Sequence, residues 1–297
     1  MHRIVVASDL AMTHDTAFGR GCELAATNCA ELHVLRLASR YKHSASPAAD
    51  GAAMLAEARA RFPSIASITI SAPIPRSART IAARAGELRA DIIVMRNEID
   101  PNQVDDRPFD LIVDVARRTS IPVLAAQGDS HAPYRRLLAL LDTGDDARRV
   151  LDLALRMKSA DSLFAVHACP KHSSREKTAE AMAELERVIA TALEGRCDAA
   201  ATITPVVRNG DLASVLIEEW SALHPDLIVA ATRKPHGLEG IFGHSHVADL
   251  LEIMPFDLLV TNLETRENNH LEEPAMIGDA GLKTKALAAA RHLLRRG

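Results

Sequence analysis

Two tandem, doubly wound domains of the α/β class, each with an open parallel sheet, are predicted for this chain from three features of its sequence. Four apolar strand-like runs occur twice in the same order; the runs are continuous, as in strands buried on both faces; and stretches with helical apolar spacing separate them. "IVVASD" (Ile4 to Asp9) returns as "LLALLD" (Leu137 to Asp142), displaced by 133 positions. "LHVLRLA" from Leu32 returns as "SLFAVHA" from Ser162, displaced by 130. "ADIIVM" from Ala90 and "IPVLAA" from Ile121 return as "PDLIVA" from Pro225 and "FDLLVT" from Phe256, each displaced by 135. Self-similarity on this scale implies one architecture built twice.

The elements follow in order. After the first strand of each half comes a helix-like stretch, "DTAFGRGCELAATNC" and "DDARRVLDLALRMKSA", with Asp15 and Asp145 as expected N-caps. In the second, Val150, Leu151, Leu153, Ala154 and Met157 make an apolar stripe. Beyond strand two lie an Ala-rich helical segment (48–61; 176–193), a short strand ("SITIS"; "ATITPVV") and a third helix ("ARTIAARAGEL"; "LASVLIEEWSAL"). Each half therefore reads β-α-β-α-β-α-β-α-β. The expected division is 1–127, 134–263 and a polar extension, 264–297, ending in a basic helix candidate. "QGDSHAPY" (Gln127 to Tyr134) serves as the linker. The two halves are expected to pack as a pseudo-symmetric pair through their last strands, as two copies in a dimer would.

With 47% apolar and 25% charged residues and a net charge of -4, the chain has the balance of a globular protein with no broad attraction for nucleic acid or membrane. Cys22, Cys29, Cys169 and Cys197 are scattered, which predicts neither a disulfide framework nor a structural zinc site and fits a reducing cytoplasm. "MHRIVVASD" enters a strand directly, so no leader or membrane span is expected.

The strand ending in Asp, the "AVHAC" strand, the "DLIVAAT" strand, the Gly-bearing loop with Ser before a helix, and a closing strand after an apolar helix resemble the universal stress protein family, in its tandem, two-domain form. The resemblance covers nearly all of residues 1–263, twice over. Nucleotide-binding members carry G-x-x-G-x9-G-[ST] between strand four and helix four. Here "ATRKPHGLEGIFGHS" places Ala231, Lys234, His244 and Ser245 at those positions, or, slid by one, Ala230, Arg233, Gly243 and His244. The fingerprint is broken in either alignment. What the loop keeps is backbone freedom at Gly237, Gly240 and Gly243, cations at Arg233 and Lys234, and Ser245 where a helix would begin. Against these, Pro235 removes a backbone donor.

The resemblance implies that Asp142 and Thr143 ending strand one, Ala168 ending strand two, and Thr232, Arg233, Gly237, Gly243 and Ser245 would contact ATP or another adenine nucleotide. The matching segment of the first half, Asn97 to Asp110, has no glycine and carries Glu98, Asp100, Asp105, Asp106 and Asp110, so a polyphosphate is not expected there. For Asp9 a turn-shaping role is favoured, and for His167 a hydrogen-bonded structural role. His244 and His246 are an i, i+2 pair with no completing ligand nearby, and no metal is expected. No G-x-S-x-G, H-E-x-x-H or lysine-terminated P-loop occurs, so the chain reads as a non-enzyme. Two readings stay open: a stress regulator whose second domain binds nucleotide, with protein partners and a homodimer as further expectations, or an interaction module of the same fold that binds none. A weak nucleotide hydrolase is a third, supported by fold analogy alone.

Overall fold

The computed structural model describes residues 1–10, 15–38, 47–97, 108–127, 132–141, 145–157, 161–194, 202–232 and 256–262. In the first half these form β1 (Arg3–Ser8), α1 (Thr16–Asn28), β2 (Glu31–Arg36), α2 (Pro47–Arg61), β3 (Ser67–Ile70), α3 (Ala78–Glu87), β4 (Ile92–Arg96), α4 (Pro108–Arg118) and β5 (Val123–Ala126). The second half contributes β6 (Arg136–Leu140), α5 (Asp145–Arg156), β7 (Ser162–Cys169), α6 (Arg175–Leu193), β8 (Thr202–Asn209), α7 (Leu212–Leu223), β9 (Leu227–Thr232) and β10 (Asp257–Asn262).

Side chains that can reach back to free backbone donors start several helices. Asp15 accepts from Phe18 N–H at 2.7 Å, Ser77 from Thr80 N–H at 3.2 Å, and Asp211 from Ser214 N–H at 2.9 Å. Asp145, expected as a cap, is instead the first residue of α5 itself.

The strands form a single sheet in the order β3-β2-β1-β4-β5-β10-β9-β6-β7-β8. Each half has a parallel order that reverses between its first and fourth strands. The expected contact through the last strands is present as direct pairing: β5 and β10 run antiparallel, with Leu258 opposite Ala125, Leu259 opposite Leu124 and Val260 opposite Val123. Leu124 and Leu259 are also counterparts in the internal repeat, so the pseudo-two-fold axis passes between them. The sheet is therefore mixed, with one antiparallel seam joining two parallel halves.

Alternation along the strands divides the core into two layers. Ile4, Val6, Leu32, Val34, Ile92, Val94, Leu124, Leu137 and Leu259 pack on the side that includes α1, α5 and α6. Val5, Ala7, Leu35, Ile93, Met95, Leu138, Ile228 and Leu258 pack on the side of α3, α4 and α7. Helices thus cover both faces, which accounts for the continuous apolar strands.

Gly21 shows how closely α1 approaches the sheet: a Cβ built there would lie 2.3 Å from Val6 Cγ2. Helix propensity alone favours Gly21→Ala by about 1 kcal/mol, but the overlap is with a fully buried strand residue that has nowhere to go. A net destabilisation of about 1–3 kcal/mol is expected in urea unfolding. An unchanged midpoint would mean that α1 slides off the sheet without loss.

Candidate functional site

The carboxyl ends of β6, β7 and β9 lie side by side in the second half, β6 between the other two. Strand order reverses between β6 and β9, and open α/β sheets bind ligands at such a reversal, outside the strand ends. β7 runs past the end of β6. Its last β6 partner is Val166, opposite Leu140, while His167, Ala168 and Cys169 pair with β8 alone.

Two hydrogen bonds clamp the chain as it leaves β6. Leu141 N–H donates to Val166 O at 2.8 Å, and His167 Nδ1 lies 2.9 Å from Leu141 O, so Nδ1 carries the proton and donates. His167 is buried and acts as a strut, the structural role favoured from sequence. The same pattern sets the direction of Ala168. Backbone groups alternate sides along a strand; Val166 O faces β6 and Cys169 O faces away, accepting from Gly210 N–H at 2.9 Å. The polar backbone groups of Ala168 therefore point to the β6 side, beyond the last paired residue of β6.

Of the site residues drawn from sequence, Ala168 and the strand position of Thr232 fall in this crevice: Thr232 closes β9, opposite Asn262 of β10. Asp142, Thr143, Arg233, Gly237, Gly243 and Ser245 lie outside the described residues, as do His244, His246 and residues 98–107 of the acidic segment Asn97 to Asp110.

In the first half the equivalent crevice is furnished with charge. Arg36 closes β2 opposite Ser8 of β1, and Arg96 closes β4 on the other side of β1. Between them the Ser8 hydroxyl contacts the carboxylate of buried Asp15, which also caps α1. Burial pushes the Asp15 carboxyl above its ordinary range, against the pull of its hydrogen bonds to Ser8 and Phe18 N–H. Asp9 faces Arg76 at 3.7 Å, in keeping with a structural role.

A second concentration of polar groups joins the halves. Arg20 of α1 binds Glu23 at 2.6 Å, Asp257 of β10 at 2.8 Å and the carbonyl of Ala132 at 2.8 Å. Its guanidinium also lies 4.4 Å from the centroid of the Tyr134 ring, and the Tyr134 hydroxyl donates to Asp257. All four side chains belong to residues at most 7% exposed. Burial pushes the Glu23 carboxyl up to about 7, against the pull of Arg20. Asp257 is raised by burial too, and Tyr134 lies well above its usual range through burial and the neighbouring Asp257 charge. Sequence reading missed this cluster.

Among the described residues, no group of three or more His, Cys, Asp or Glu is placed to hold a metal. Cys22 is buried, and that burial pushes its thiol up to about 12, which removes it as a nucleophile at neutral pH. No helix among the described residues is long and apolar enough to cross a membrane.

Residues 133–262 match the model of the universal stress protein family. The match lies in the second half of the chain, which is similar to a universal stress protein domain. No curated protein matches the chain. Among solved structures, a universal stress protein from Archaeoglobus fulgidus DSM 4304 is similar over 88% of this chain and 98% of its own, at 13% identity and a TM-score of 0.60. A functionally unknown protein from Pseudomonas aeruginosa PAO1 is similar over 100% of this chain and 98% of its own, at 18% identity and a TM-score of 0.58. A putative universal stress protein from Pseudomonas aeruginosa UCBPP-PA14 covers 88% and 93%, at 20% identity and a TM-score of 0.57. At such identities the likeness is one of fold, and it extends across both halves. The universal stress protein match itself falls on the half that contains Ala168 and the β9 end at Thr232.

Proposed function

We propose that this chain is a tandem universal stress protein, a non-enzymatic regulator that binds an adenine nucleotide, such as ATP, in the crevice of its second half, and signals that state to protein partners in the cytoplasm. The observation that carries the reading is the direction of the Ala168 backbone beyond the end of β6. A base edge needs paired donors and acceptors at fixed positions, and a strand end held by the Leu141–Val166 and Leu141–His167 bonds presents them without rearrangement. In sequence, Asp142 and Thr143 follow β6, and Arg233, Gly237, Gly243 and Ser245 follow β9, so the residues suited to a ribose and phosphates leave from the two strands at the order reversal.

The first half is assigned a supporting role. Its crevice holds Asp9 against Arg76 and Asp15 against Ser8, and its following segment is rich in acids.

Isothermal titration with ATP and ADP tests the assignment. Binding by the wild type is expected to be weak, because Lys234 and Pro235 replace the small residues that a tight phosphate cradle prefers. Gly243→Val should abolish it and Asp105→Ala should leave it unchanged. Binding that survives Gly243→Val would show that the segment after β9 only turns a corner. No heat from the wild type at millimolar nucleotide would favour the interaction module instead.

A further inference from the structure

The junction between the halves holds an acid that the ligand crevice does not use. Asp257 has both oxygens engaged: Oδ1 accepts from Gln127 N–H at 2.7 Å, and Oδ2 accepts from Arg20 and from the Tyr134 hydroxyl. Glu23 does not. Its Oε2 accepts from Arg20 Nη1 at 2.6 Å, while Oε1 is buried with no hydrogen-bond partner among the described residues. A cavity of about 20 Å³, lined by Met1, Arg20, Glu23, Asn28, Tyr134 and Met157 among others, adjoins it.

We propose that Glu23 is a proton-binding site at the junction, protonated on Oε1 in the folded protein near neutral pH, and that this proton sets how firmly the two halves are held together. Charge and geometry select the same atom. One guanidinium faces two carboxylates, so full ionisation leaves a net negative charge in a buried place, which a single proton removes. Of the carboxylate oxygens, Glu23 Oε1 is the one without a donor among the described residues. A protonated Oε1 becomes a donor itself, and the cavity is large enough for one water to accept it.

Among the described residues, the surrounding elements supply few other charges. Arg20 lies on the same helix, Asp257 on β10, Tyr134 on the segment before β6 and Arg61 at the end of α2; the N-terminal amine bonds Asn28 Oδ1 at 3.5 Å, and α5 contributes the apolar Met157.

The sign follows from linkage. Glu23 has an ordinary value of 4.5 and is raised to about 7 in the fold. The stabilisation that comes with its proton is complete below the unfolded value and is lost as pH rises through the folded one. The window is thus about pH 4.5 to 7. One power of ten per pH unit makes the loss on the order of 100-fold in the folding equilibrium constant.

Urea unfolding of the full chain from about pH 4.5 to about pH 8 tests this, with linear extrapolation at each pH. The probe is Trp220, the single tryptophan, whose ring lies 6.2 Å from that of Phe256, the neighbour of Asp257 in sequence. The wild type should lose about 100-fold in folding constant across the window, and Glu23→Gln, which keeps the shape without titrating, should flatten that loss. An equal loss in Glu23→Gln, or a flat wild-type profile, overturns the proposal. If Glu23→Gln does not fold, the exposed Arg61→Gln supplies the test. Removing that cation must shift the wild-type profile to higher pH, and an unmoved profile overturns the proposal.

Discussion

Arg20→Met is expected to destabilise the protein by about 3–5 kcal/mol at pH 8, among the largest effects a single substitution has here. Methionine fills most of the space, so packing is not the main loss. What remains is Asp257 and Glu23, both buried, with no cation between them and the ring of Tyr134 bare on one side. An uncompensated buried carboxylate costs far more than the ion pair contributes when intact. The same reasoning predicts partial recovery in acid. Without Arg20 the two carboxyls are raised further, so the variant regains stability as pH falls and they take up protons, and its deficit at about pH 5 is smaller than at pH 8. Urea titrations at both pH values check this. A deficit that does not depend on pH would show that Arg20 acts through packing alone.

Leu259→Ala is expected to cost about 2–5 kcal/mol, and Leu124→Ala a similar amount. Each is fully buried, and they face one another across the antiparallel seam. Removing either opens a cavity at the line where two parallel sheets meet, and extended strands relax poorly into such a space. Because the two share one neighbourhood, the double variant is expected to deviate from additivity by more than about 0.5 kcal/mol. A double-mutant cycle by urea unfolding measures the deviation, and simple additivity would show that the two leucines do not support each other.

The parts of this structure that were legible in the sequence are those set by repetition. "IPVLAA" and "FDLLVT" stand 135 positions apart, and that displacement places Leu124 and Leu259 at the seam where they pair. Continuous apolar strands fixed the burial on both faces, and the order of elements fixed the crevice between β6 and β9. The structural role of His167 was legible as well, because a lone histidine within a buried strand needs a backbone partner, here Leu141 O. The junction cluster was not. Arg20 and Glu23 sit in "AFGRGCELA" and Asp257 in "PFDLLVT", isolated charges within apolar runs, and charges so placed ordinarily mark the solvated side. The available signal was that Arg20 and Asp257 occupy core-facing positions and carry opposite sign, but their separation in sequence, one in each half, hides the pairing until the seam brings the halves together. The clamp on Leu141 was hidden for a different reason: it depends on β7 outrunning β6, which depends on strand register.

The antiparallel seam has a consequence for mutational history. In a dimer of identical chains, a substitution near the two-fold axis arises on both sides at once, and a buried charge placed there is met by its own copy. Joined in one chain, each side changes alone. The position of Asp257 is Pro122 on the other side, and with Asp15 set against Asp145, Arg20 falls on Val150 and Glu23 on Leu153. A guanidinium, two carboxylates and a phenol therefore occur once, flanking an axis whose opposite flank is aliphatic. Such an arrangement is inaccessible to a symmetric pair. It also frees the two crevices to diverge, so that the first can gather Arg36, Arg96, Asp9 and Asp15 with no matching change in the second.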